Sequence, residues 1–167
     1  MGEGGHMPQI IELPERPYVG VRGTITMTTF GVVGDRIAGI IGWLAERGHH
    51  PADAPFFRYE EIDMAGDRLV VQAGVPVAVP VEGEGDLFAA VLPAGRYVTE
   101  SHHGHPDQLF GVIESVLTWV KEQGLTLDTT EKDGTEHWGC RLELYKTNPL
   151  EEPDLNNWDI DLQFRLS

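Results

Sequence analysis

The chain reads as an α+β protein, a mainly antiparallel sheet with two main helices on one side of it. Three observations predict this. Two segments repeat apolar residues at helical spacing, several runs alternate apolar and polar residues with a period of two, and the two helical segments match each other. Placing Trp43 on Trp119 brings Gly48 onto Gly124, Ile40 onto Val116, Ile37 onto Ile113 and Val33 onto Leu109, all at a spacing of 76 residues. Each copy is followed by two further strand-like runs, so a strand-helix-strand-strand unit used twice is expected. The alternative is a chance match, since any two amphipathic helices align passably.

From Tyr18 to Met27, Val19, Val21, Ile25 and Met27 alternate with Arg22, Thr24 and Thr26, the pattern of a half-buried strand. Thr28 or Thr29 is placed to cap the first helix, which carries Val33, Ile37, Ile40, Ile41 and Leu44 to about Arg47 and ends on Gly48. Its glycines, Gly31, Gly34, Gly39 and Gly42, each cost about 1 kcal/mol relative to Ala, so close packing against the sheet is expected in return. His49 to Pro55 reads as loop. Strands follow at Phe56 to Met64 and Leu69 to Val77 around the turn Ala65-Gly66-Asp67, with Leu69, Val71, Ala73, Val75 and Val77 on one side. Pro76 cannot donate to a ladder and marks an end, a bulge or an edge. Gly83-Glu84-Gly85-Asp86 separates the halves.

The second half opens with the apolar run Leu87 to Leu92, a turn at Pro93-Ala94-Gly95 and a strand from Arg96. A tight His/Gly turn leads into a helix with Pro106 at its first position, Asp107 complementing the dipole and Gly124 at its C-terminal end. Leu109, Ile113, Val116 and Val120 form its apolar stripe. Asp128 to Glu136 reads as a polar loop and Trp138 to Tyr145 as a strand, with Cys140, Leu142 and Leu144 on one face and Arg141, Glu143 and Tyr145 on the other. The last strand alternates Trp158, Ile160, Leu162, Phe164 and Leu166 with polar residues.

The 167 residues fit one domain: an N-terminal tail over residues 1–17, then a single domain over 18–167 made of halves at about 18–82 and 86–167. Met1 to Met7 is Gly-rich, reads as a flexible segment or part of a cloning scar, and is left out of the fold. Twelve basic residues against 27 acidic ones give a net charge of −15, which disfavours direct nucleic acid binding and anionic membranes and attracts cations or basic partners. Solubility alone would also account for the charge. A lone cysteine, Cys140, excludes an internal disulfide and fits a cytoplasmic location; no run has membrane-spanning length and no signal peptide is evident.

Three pieces resemble the GyrI-like small-molecule-binding domain, the effector-binding domain of AraC-type and multidrug-sensing regulators. They are Leu92 to Tyr97 with His103 to Leu109, then Leu142 to Pro149, and the closing strand Trp158 to Leu166. The resemblance implies two halves related by a pseudo-twofold with a ligand cleft between them, and it maps the family's central acidic residue onto Glu143. With no helix-turn-helix in the sequence, a standalone member is expected. Some standalone members resemble hydrolases that open strained cyclopropane rings. Arg165 departs from the family, whose last strand commonly has proline there, and so does the Gly104-His105 pair.

Glu143 is the central site residue. Leu142 and Leu144 are expected to face the helix-covered core, so the carboxylate is expected on the other face, lining the cleft. There it would bind a cation or, with a raised pKa, act as general acid or base; a solvated carboxylate is the default for such a strand without the resemblance. Phe57, Tyr59, Phe88, Tyr97, Trp138 and Tyr145 are the candidate ligand-binding aromatics, with Glu143, Tyr97 and Tyr145 as the catalytic set if the protein is a hydrolase. Trp43, Trp119 and Trp158 read as structural. His102, His103 and His105 read as turn formers, with no metal site, and Cys140 reads as a buried hydrophobe. No cofactor is expected. The expected function is sequestration or sensing of amphipathic aromatic or cationic small molecules. The alternative is hydrolysis of strained or electrophilic compounds with Glu143 activating water. A third reading is an acidic inhibitor that binds a protein partner.

Overall fold

The computed structural model describes residues 7–167, so the Gly-rich start up to His6 lies outside the described residues. Strand β1 is Gln9–Leu13 and β2 is Arg16–Ile25, followed by helices α1 Gly31–Gly34 and α2 Ile37–Glu46. Next come β3 Phe56–Asp63, β4 Arg68–Pro76, β5 Phe88–Leu92, β6 Gly95–His103 and helix α3 Leu109–Glu122. The chain ends with β7 Thr129–Lys132, β8 Thr135–Trp138, β9 Arg141–Tyr145 and β10 Asp159–Arg165. Among the described residues, no helix is long and apolar enough to cross a membrane.

One antiparallel sheet runs in the order β1-β6-β10-β9-β3-β4-β2-β5, with the β7–β8 hairpin attached to β3. Exchanging β1 with β5, β2 with β6, β3 with β9 and β4 with β10 returns the same order read from the other end. The duplication therefore holds, and its pseudo-twofold passes between β3 and β9, where Phe57 pairs with Glu143. Each half lends its first strand to the other: β1 pairs with β6, and β5 pairs with β2. From Gln9 onward the expected tail is thus part of the sheet. A second internal match marks these strands, with Leu13-Pro14, Tyr18 and Val19 recurring as Leu92-Pro93, Tyr97 and Val98 at a spacing of 79 residues.

Several local expectations need correction. The first helix is not continuous to Arg47 but breaks between Gly34 and Ile37. Thr29 does not cap it: its hydroxyl accepts from the Thr26 N–H at 2.8 Å, and Phe30 occupies the cap position without a side-chain bond. Close packing compensates only part of its glycine content. A Cβ at Gly34 would stand 3.1 Å from the Phe57 ring, whereas Gly39 and Gly42 face open space. Gly48 and Gly124 take the left-handed conformation expected of helix ends, with φ of +77° and +69°. The supposed loop over 128–136 is the β7–β8 hairpin, turning on Asp133 and Gly134 with φ of +53° and +81°, the Asp-Gly signature of a tight hairpin. The supposed strand from Trp138 breaks at Gly139-Cys140 between β8 and β9.

The sheet is buried on both faces. On one, α1 and α2 contribute Val33, Ile40 and Leu44 over Val19, Val71 and Val75, and α3 contributes Leu109, Val116 and Val120 over Ile160, Leu162 and Phe164. On the other, without helices, Tyr18, Phe56, Leu92, Tyr97, Leu142 and Leu144 form a third cluster with Cys140. A Cβ at Gly74 would lie 2.6 Å from the Phe56 ring and 2.9 Å from the Tyr18 ring, both fully buried. Gly74→Val is expected to destabilise the protein by about 1–3 kcal/mol through overpacking, read as a lower denaturation midpoint with an unchanged slope.

The departures in the last strand and at the second helix entry have local roles. Arg165 donates from Nη1 to Asp128 at 2.9 Å and from Nη2 to the Ala94 carbonyl at 2.8 Å, tying the last strand to the turn before β6. The histidines take the expected turn roles: His103 Nδ1 lies 2.8 Å from Asp159, and His105 Nδ1 accepts from the Asp107 N–H at 3.0 Å.

Candidate functional site

Strand alternation sends Arg141, Glu143 and Tyr145 of β9 to one face and Leu142 and Leu144 to the other. The face assignment is the reverse of the expected one. Leu142 and Leu144 join the helix-free cluster, and Glu143 stands on the helix-bearing face in the gap between α1 and α3. The carboxylate still lines a cleft, because the two halves leave that gap open over their shared strands. On β3, Phe57 and Tyr59 point the same way, and a bulge between Tyr59 and Glu61 brings Ile62 onto the same wall.

The groove has a volume of about 870 Å³. Leu109, Ile113 and Leu117 of α3 form one wall, and Phe30, Ile62 and Leu69 form the opposite one. Met27, Met64 and Phe110, all about half exposed or more, make an apolar mouth. Around the floor an unbroken chain of rings runs from Tyr59 to Phe30 (6.2 Å), Phe57 (5.4 Å), Tyr145 (5.4 Å) and Trp158 (6.4 Å), mostly edge to face.

Glu143 is 5% exposed, and its Oε1 accepts from the hydroxyls of Tyr59 and Tyr145, each at 2.9 Å. Burial pushes its pKa above the ordinary carboxylate value, against the opposing pull of the Tyr59 hydrogen bond, the Arg141 charge and the Tyr145 hydrogen bond. The Tyr59 and Tyr145 phenols are themselves raised, first by burial and then by the carboxylate, so both stay protonated and donate. A buried, poorly solvated carboxylate at the floor of an aromatic groove is a strong site for a cation whose own hydration is weak.

Of the candidate residues, Glu143, Phe57, Tyr59 and Tyr145 come together here. Tyr97 and Phe88 do not. Tyr97 is fully buried on the helix-free face, where its hydroxyl donates to the Pro93 carbonyl at 2.6 Å, and Phe88 packs near Tyr18 in the same cluster. Strand alternation decides it for Tyr97: the neighbouring Val98 packs under α3, so Tyr97 points to the reverse of the sheet. Trp138 stands behind the groove, its ring under the Arg141 guanidinium and its Nε1 donating to Glu136 at 2.9 Å. Trp158, read as structural, lines the groove. Phe30 and Arg141 were not anticipated there. Arg141 shares the strand face of Glu143, a signal legible in the alternation, whereas nothing local marks Phe30. Cys140 is fully buried, as expected of a small hydrophobe.

The family model for the GyrI-like small molecule binding domain matches residues 6–167. No curated protein sequence matches the chain at a significant level. Among solved structures, the fold is similar to the EcmrR C-terminal domain, at 20% identity and a TM-score of 0.77 over 98% of each chain. It is similar to SAV2435 bound to tetraphenylphosphonium, at 13% identity and a TM-score of 0.55 over 96% of this chain and 94% of that one. A hydrolase from Listeria innocua matches at 12% identity and a TM-score of 0.64 over 96% and 91%. A match over nearly the whole chain, joined to the duplicated sheet and its groove, settles the assignment: the chain belongs to the GyrI-like small molecule binding domain family.

Proposed function

We propose that the groove binds amphipathic aromatic cations, with Glu143 as the counter-charge and Phe30, Phe57, Tyr59, Tyr145 and Trp158 as the aromatic cage. The observation that carries this reading is the 5%-exposed carboxylate at the centre of that ring chain. The likeness to a structure holding tetraphenylphosphonium supports it. Apolar walls supply most of the affinity through burial, and the carboxylate selects charge. The test is titration with tetraphenylphosphonium, followed by calorimetry and by quenching of tryptophan fluorescence, since Trp158 forms part of the groove. Saturable binding, much weaker for an uncharged aromatic of similar size, is expected. No saturable binding, or equal binding of the two, would sink the reading.

Cation affinity is expected to rise with pH. Glu143 is raised above 4.5 in the free protein, so at low pH its proton must leave before it can pair with a cation. Affinity therefore climbs as pH rises through the elevated value and levels off above it, with proton release on binding inside that window. For the unliganded fold the sign is opposite: stability present below 4.5 is lost as pH rises through the raised pKa. The groups facing Glu143 are Tyr59, Tyr145 and Arg141, with Asp107, Glu114 and Glu136 also lining the groove. Calorimetry in buffers of different ionisation enthalpy reads the released proton, and a flat profile would contradict the assignment.

A second reading, hydrolysis of strained or electrophilic small molecules, is favoured by one observation: a carboxylate of raised pKa with two phenols on one oxygen suits general acid–base work on water. Tyr59 would take the role first assigned to Tyr97. Incubation with a cyclopropane-bearing alkylating compound, with products followed by mass spectrometry, tests it. Turnover by the wild type that disappears in Glu143→Gln supports the enzyme; binding without turnover dismisses it for that substrate.

A further inference from the structure

Arg141 is buried to about the same degree as Glu143, with 9% of its surface exposed, and it lines the same groove. Among the described residues, nothing hydrogen-bonds its side chain, and its Nε is fully enclosed without a partner. The closest carboxylate oxygen belongs to Glu136, at 3.9 Å, beyond hydrogen-bonding distance. Glu143 is the strongest charge acting on it through space, but the two form no ion pair. Tyr59 stands between the two, its ring 5.4 Å from the guanidinium carbon and its hydroxyl on the Glu143 carboxylate.

Aromatic rings hold the guanidinium in place. Its carbon lies 4.8 Å from the centroids of both Trp138 and Phe164. Ring contacts use the faces of a guanidinium and leave its in-plane N–H donors unspent. A buried cation whose hydrogen bonds are unmade is costly to a fold, and such a group in a groove calls for an acceptor from outside. Its Cα sits about 7 Å along the strand from that of Glu143, by the rise of two residues, on the same face.

We propose that Arg141 is a second polar anchor of the groove, which recognises a carboxylate or comparable oxygen acceptor on the ligand, so that the favoured ligands are aromatic zwitterions. This rests on the cation-binding reading of the groove and narrows its ligand class. Glu143 takes the cationic end, Arg141 takes the acidic end, and the ring chain takes the flat body between them. Recognition by two opposite charges also ranks simple hydrophobic cations below such zwitterions, because they bind while leaving the guanidinium unpaired.

The test is a matched pair of dyes, rhodamine 110 and rhodamine 123, which share an aminoxanthene cation and differ in a free carboxylate against its methyl ester. Each is titrated by calorimetry into wild type, Arg141→Met and Arg141→Lys, alongside tetraphenylphosphonium. Wild type is expected to bind the acid about tenfold or more tighter than the ester, the scale of a charge-assisted hydrogen bond. Arg141→Met is expected to abolish that preference while tetraphenylphosphonium binds as well as before or better, and Arg141→Lys to restore part of it. Equal binding of acid and ester by wild type, or no binding of the acid, overturns the proposal and needs no variant to fold. Failure of tetraphenylphosphonium alone, with the acid still preferred, would instead overturn the reading of a site for simple cations and leave Arg141 as the anchor.

Discussion

Glu143→Gln is expected to lower affinity for tetraphenylphosphonium about 10- to 100-fold, with little change for an uncharged aromatic of similar size. The magnitude follows from Coulomb's law: a unit charge about 6 Å from the carboxylate, at an effective dielectric near 20, is worth about 3 kcal/mol. Arg141, on the same strand face, offsets part of this, which sets the lower end of the range. Glutamine keeps the volume and still offers a carbonyl oxygen to Tyr59 and Tyr145, so the loss reports charge and not collapse of the floor. The variant is also expected to unfold no more easily than wild type at neutral pH, because it removes a buried carboxylate whose ionisation the fold opposes. Equal affinity of wild type and variant would remove Glu143 from the site.

Phe56→Ala is expected to destabilise the protein by about 3–5 kcal/mol, a Tm drop on the order of 6–20 °C for a chain of this size. Phe56 is fully buried on the helix-free face, with its ring 5.1 Å from Tyr18 and at 73° to it. It pairs with Leu144 across the pseudo-twofold, one residue from the pair Phe57 and Glu143. Neighbouring residues on a strand point to opposite faces, so the core that holds β3 against β9 lies directly behind the groove floor. Its loss should therefore lower stability without removing any groove residue. Thermal unfolding with and without tetraphenylphosphonium separates the two effects: the midpoint falls, while the ligand-induced rise in midpoint persists. A fall much below 3 kcal/mol would mean that the helix-free cluster is not the structural centre of the sheet.

Much of the site was legible because strand alternation is a local property. The run Arg141-Leu142-Glu143-Leu144-Tyr145 places Glu143 and Tyr145 on one face whatever the strand packs against, and Phe57 and Tyr59 share a face for the same reason. Alternation says nothing of which face carries the helices. Apolar Leu142 and Leu144 predict a core on their side, but this sheet has a core on both sides, so the prediction does not say which one. Tyr97 and Phe88 lie outside the groove for the same reason, since their rings fill the core on the helix-free face.

The sequence by itself determined the duplication, the helix ends at Gly48 and Gly124, the alternating strands and the acidic residue at the centre. These depend on residues close in the chain: periodic apolar positions, glycine at positive φ, and the period of a pleated strand. Tertiary structure alone decided that β1 and β5 cross to the opposite half, that Phe30 and Trp158 complete the ring chain, and that the Arg141 side chain is buried on the same strand face as the carboxylate with no hydrogen bond among the described residues. Each of these depends on partners tens of residues apart, whose meeting is set by how the two halves close on each other and not by any property of the local run.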